Sequence, residues 1–164
     1  MRACKISAYS FLVSASLWSC IPSYNAYPKE YRHAKADFPK QKAFVMNKEL
    51  KQEFDILKHS GIYEIVEDST HAAKITLHPM MTRTPSCGNA MIGSIITVGL
   101  LPSGFPYDIG YSYDVAENNT TKNYKYNLQV YQSLWLFNIF RLGRTFPKQP
   151  GKALLGSYMA SNNK

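Results

Sequence analysis

The chain is 164 residues long, carries a formal net charge of +8, and is 45% hydrophobic and 18% charged. That length suits one domain with a real hydrophobic core plus a leader and is too short for a leader and two domains. The balance of apolar and charged groups excludes both wholesale disorder and a polytopic membrane protein.

The first residues read as an export leader. Arg2 and Lys5 give a positive start, and Ile6 to Trp18 form a run of apolar and small residues. This run is shorter than the roughly 20 residues that cross a hydrocarbon core, so it is a secretory signal and not a membrane span. Leu17-Trp18-Ser19-Cys20 then resembles the bacterial lipobox, in which an aliphatic residue stands three positions before the cysteine that becomes the acylated first residue. The resemblance implies a signal peptide over 1–19, palmitate-type acylation of Cys20, and a membrane partner reached through the N-terminal lipid anchor. Ile21, where an aspartate would retain the protein at the inner membrane, implies the outer membrane and a domain facing the periplasm. The alternative is an ordinary signal cleaved near Ser14-Ala15-Ser16, which leaves Cys20 and Cys87 able to pair in an oxidising compartment.

Cysteine and histidine usage argues against a metal site. Cys4 leaves with the leader and Cys20 is consumed by lipid, so Cys87 remains alone. His33, His59, His71 and His78 are scattered singly, without zinc-ligand spacing, and no cofactor is expected. Removing Arg2 and Lys5 with the leader takes the charge from +8 to +6. Lys29, Arg32, Lys35, Lys40, Lys42, Lys48, Lys51 and Lys58 supply much of it. In an exported chain without base-reading or phosphate-cradling motifs this does not indicate nucleic acid. It suits either a solvated lysine face or attraction to anionic lipid, at about 1 kcal/mol per well-placed cation.

In chain order, residues 20–45, with Pro22, Pro28 and Pro39 and no sustained apolar period, read as a tether ahead of a single α+β domain over 46–164. Met46, Leu50, Phe54 and Leu57 recur at helical spacing, which predicts an amphipathic helix over 47–60, with Asn47 as cap and Gly61 as the left-handed stop. Ile62 to Val66 and Lys74 to His78 alternate as two short strands. Met80 to Asn89 is a loop. Met91 to Leu101 is almost continuously apolar and predicts a central strand buried on both faces. Tyr107, Ile109, Tyr111, Tyr113 and Val115 alternate with small or acidic residues, and after a polar turn at 116–123 a return strand runs from Tyr124 toward Leu134. Trp135 to Leu142 is dense in large apolar groups and is either core or an exposed contact patch. Lys152 to Ala160 predicts a final helical turn or two. The fold expected is α+β, one amphipathic helix packed on a mainly antiparallel sheet of about five strands.

Residues 95–142 also resemble a loosely defined set of small uncharacterised Gram-negative envelope lipoproteins. The matching pieces are the apolar run closing on Val98-Gly99-Leu100-Leu101-Pro102, the tyrosine-rich hairpin from Tyr107 to Val115, and the strand from Tyr124 to Leu136 that closes on Trp135. With the lipobox, the resemblance covers about half of the chain. It implies fold and address, since its motifs are structural. After Phe140 the family carries a longer amphipathic helix, where this chain has Pro147 and Pro150.

Catalytic patterns are weak. Pro102-Ser103-Gly104 reads as a turn and not as a nucleophile elbow. Asp108 and Asp114 lie six residues apart on one strand face, about 20 Å at strand rise, too far to share a substrate bond. Glu67 and Asp68 have no calcium-loop spacing around them, and the acceptor patterns at Asn118 and Asn119 matter only in a eukaryotic host. The expected function is therefore a non-enzymatic binding or envelope-assembly accessory held by lipidated Cys20, docking an envelope protein through Trp135, Phe137, Phe140, Tyr111 and Tyr113. The alternatives are an envelope enzyme using Cys87 as thiol nucleophile with His71 or His78 as base, and a basic domain that lies on anionic lipid.

Overall fold

The computed structural model describes residues 22–84, 92–97, 100–117 and 120–162. The elements run β1 (Pro22–Tyr27), a 3-10 turn (Lys29–His33), β2 (Gln41–Val45), α1 (Lys51–Ser60), β3 (Tyr63–Ile65), β4 (Ala73–Leu77) and β5 (Met81–Arg83). There follow α2 (Ile92–Ile96), β6 (Ser103–Glu117), β7 (Thr120–Leu134), a second 3-10 helix (Leu136–Arg141) and α3 (Lys148–Asn162).

The chain is α+β but richer in sheet than expected. One helix on about five antiparallel strands is replaced by a seven-stranded mixed sheet curled into a half-barrel, with several helices. The strand order is β1-β7-β6-β4-β2-β3, and β5 also pairs with β6. The long β6–β7 hairpin is its spine, in register from Ser103↔Leu134 to Glu117↔Thr120. β2 is parallel to both its neighbours: β3 flanks Gln41 to Ala43 and β4 flanks Ala43 to Val45. This stagger lets residues 66–72 cross from one side of β2 to the other, held where the Val66 N–H donates to the Ala43 carbonyl (2.9 Å).

The additional strands are short. β1 and β2 lie in the segment expected to be a tether. Their apolar alternation covers only a few residues and is broken by polar groups that this sheet buries, Ser23 and Asn25. Pro79 interrupts what would be one strand, and β4 and β5 pair with successive stretches of β6, with β5 inside the expected loop.

The core fills the space between the concave sheet face and the helix pair α1 and α3. Ile75, Leu77, Ile109, Tyr111, Tyr113, Leu128 and Val130 come from the sheet, and Ile56, Leu57, Ala153 and Leu154 from the helices. Gly61 ends α1 at φ 66°, the left-handed stop expected of it. Asn47 does not cap the helix. Its side chain pairs with Leu77 as a strand would, donating to the carbonyl and accepting from the N–H, both at 2.8 Å. The buried stripe of α1 is Glu53, Ile56, Leu57 and Ser60, rotated from the expected face, and Met46 is exposed. Glu53 is buried because its carboxylate accepts the Met80 N–H (2.9 Å).

α3 is a full helix where a turn or two was expected. Pro150 stands in its first turn, where a missing N–H has no intrahelical partner to lose. Two glycines allow α3 to pack closely: a Cβ at Gly151 would lie 2.8 Å from the His59 carbonyl carbon, and one at Gly156 would overlap the Tyr31 ring.

Candidate docking surface

The turn-distal end of the β6–β7 hairpin gathers three segments. Leu134, the last residue of β7, is opposite Ser103 of β6 on one side and Pro22 of β1 on the other. Ser94 of α2 donates its hydroxyl to the Leu134 carbonyl (3.2 Å). The Trp135 indole N–H donates to the Leu100 carbonyl (3.2 Å), which fixes Leu100 against the start of the second 3-10 helix.

Both segments that sit on this end are inverted, with polar residues inward and apolar residues outward. In α2 the buried residue is Ser94, while Ile92, Ile95 and Ile96 are exposed, the last at 73%. In the 3-10 helix the buried residue is Asn138, whose amide donates to the Ser133 carbonyl (2.9 Å), while Phe137 and Phe140 are exposed, Phe140 at 80%. Leu100, Leu101 and Leu142 are exposed beside them. Single exposed apolar residues are ordinary, but contiguous ones mark a contact surface. Aromatic rings tie the patch together: Trp135 meets Phe137 edge-on at 5.0 Å and Phe137 stacks on Phe140 at 6.3 Å. Arg141 lies over the Trp135 ring at 5.5 Å. Arg144 donates to the Asn25 side chain (2.6 Å), and its carbonyl accepts the Tyr24 N–H (3.0 Å).

This placement corrects the expectation of a central strand over 91–101. Within the described part, residues 92–96 form a surface helix, and residues 103–117, which follow, take the central place. Hydrophobicity alone cannot say whether a run is buried by its own chain or left for another surface. The signal in the sequence was the polar residue in mid-run, Ser94, flanked by isoleucines at helical spacing.

Of the residues expected to dock, Trp135, Phe137 and Phe140 lie together on this end. Tyr111 and Tyr113 do not: they are 1% and 0% exposed and point into the half-barrel. Tyr111 donates to the Glu53 carbonyl (2.8 Å), and Tyr113 is ringed by Tyr63, Tyr124 and Tyr126 at 5.3–6.2 Å. Burial pushes the phenol pKa of Tyr63, Tyr111 and Tyr113 well above the ordinary value, so all three stay neutral. These rings are core.

Cys20 and Cys87 lie outside the described residues, as do Asn118 and Asn119. His78 pairs with Asp114 (3.0 Å), which Asn123 also holds through its side-chain amide (2.5 Å). His71 lines an open polar hollow of about 1120 Å³ with Lys42, Lys74 and Glu117, at the opposite end of the hairpin from the apolar patch. Among the described residues no three acidic, histidine or cysteine side chains gather as metal ligands, and no helix is long and apolar enough to cross a membrane. No protein-family model and no curated protein matches the chain.

Proposed function

We propose that the protein is a non-enzymatic lipoprotein of the Gram-negative envelope, acylated at Cys20 and docking at the outer-membrane surface as a binding or assembly accessory. One observation supports this above the others. Pro22, two positions after the lipobox cysteine, pairs with Leu134 at the end that carries the exposed isoleucines, leucines and phenylalanines. The proposed acylation point and the apolar surface therefore share one pole. The polar hollow at the other pole faces away from the acylated end.

Mass spectrometry of the protein purified from a Gram-negative host tests the reading. The expected product starts at Cys20, carries a diacylglyceryl thioether and sediments with membranes. A mature N-terminus at another residue, or an unacylated Cys20, refutes it.

A further inference from the structure

We infer that the apolar end of the hairpin is a second membrane attachment, a foot that enters the acyl-chain border of the leaflet in which the Cys20 lipid is embedded. This rests on the acylation proposed above.

The occupant is fixed first by chain length. Two peptide units join position 20 to Pro22, a reach of at most about 7 Å, so acyl chains at Cys20 enter the leaflet beside β1 and its neighbour Leu134. No spacer is available to hold this end of the domain off the bilayer, because β1 is paired with β7 from its first residue. The surface brought down is the one formed by Ile95, Ile96, Leu100, Leu101 and Phe140.

Charge selects lipid in the same direction. No aspartate or glutamate occurs between Asp68 and Asp108, or anywhere after Glu117, so every segment that builds this end is free of acidic residues. Arg141 and Arg144 border it. Cations at the rim of an apolar patch match lipid phosphates above an acyl layer. Trp135, between the two, has the amphipathic ring that favours the headgroup depth.

The inverted helices fix which way the apolar faces point. Ser94 and Asn138 take the inward positions and bond backbone of the hairpin end, which leaves α2 and the 3-10 helix with their apolar faces outward in a defined orientation. Lipid attachment by acyl chain alone leaves a domain free to swivel. A second contact orients it, with the polar hollow directed away from the membrane.

Tryptophan fluorescence reads this directly. The chain has two tryptophans, Trp18 and Trp135, and cleavage before Cys20 removes the first. The acylated mature protein is placed in phosphatidylethanolamine–phosphatidylglycerol vesicles with and without bromine on the acyl chains. The expected result is a blue shift and loss of Trp135 emission in the brominated vesicles. Phe140→Asp and Ile96→Asp, both at exposed positions, are expected to restore emission while leaving acylation and circular dichroism unchanged. Acylated, vesicle-bound protein whose Trp135 emission is the same in both lipids overturns the foot and leaves the lipoprotein reading standing. A photocrosslinker at position 140 that captures an envelope protein and no lipid in native outer membranes also overturns it, in favour of a protein partner. Absence of acylation overturns the lipoprotein reading itself.

Discussion

Gly151→Ala tests the packing that closes the half-barrel. In a free helix the change stabilises, by up to about 1 kcal/mol. Here the new methyl would meet the His59 carbonyl carbon at 2.8 Å and the Ile56 carbonyl oxygen at 2.9 Å, both in the backbone of α1, which cannot rotate away. Ordinary contact near 3.5 Å requires α3 to retreat by about 0.7 Å, and overpacking of this kind costs about 1–3 kcal/mol. With three α1 atoms, two of them backbone, inside 3.0 Å, the cost falls in the upper half of that range, about 2–3 kcal/mol, so after the helix gain the net is a loss of about 1–2 kcal/mol, or a melting temperature lower by about 3–6 °C for a domain of this size. Gly143→Ala is the control. It has nothing within 4 Å and no positive φ, so it is neutral or stabilising, by up to about 1 kcal/mol. Urea and thermal unfolding measure both. A Gly151→Ala protein as stable as the parent, or more so, would refute the close approach of α1 and α3.

Asn47→Ala strips both partners from the Leu77 backbone, which is buried, and is expected to lower stability by about 1–3 kcal/mol in urea titrations. Tyr111→Phe removes the donor to the Glu53 carbonyl at a cost of about 0.5–1.5 kcal/mol; because the ring is core, it leaves Trp135 quenching in brominated vesicles unchanged, and a change there would show that Tyr111 reaches the contact surface. The Asn123 amide holds the Asp114 carboxyl below the ordinary carboxylate range, helped by His78 and opposed by desolvation. A depressed folded pKa stabilises above the unfolded value and is lost as pH falls through the folded one. Asn123→Ala is therefore expected to raise the Asp114 pKa in a carboxyl NMR titration and to shrink the acid-side loss of stability that Asp114 contributes; an unmoved titration would place the cause elsewhere.

Local pattern was sufficient where local physics decides the outcome. The alternation that puts Ile109, Tyr111, Tyr113 and Val115 on one side of β6 holds through the folded strand, because side chains of a pleated strand have only two faces and all four lie on the buried one. Gly61 ends α1 for an equally local reason, since glycine enters the left-handed region without a Cβ penalty. Local pattern could not say which face of the hairpin is inward, so rings that suit a contact surface in isolation, Tyr111 and Tyr113, turned out to be core. It also missed β1 and β2, whose pairing partners stand far away in sequence or run parallel, with no turn to announce them.

The sequence by itself determined the tyrosine hairpin and the apolar content of residues 92–101 and 135–142. Only the tertiary structure decided that the described parts of those two stretches meet at one end, with Ile95, Ile96, Leu100, Leu101, Phe137 and Phe140 outward, beside the first residue of β1. The physical reason is that burial is a property of the assembled sheet. The central places were taken by β6 and β7, and Ser94 and Asn138 turned inward to bond the Leu134 and Ser133 carbonyls at their end, leaving isoleucine and phenylalanine outside.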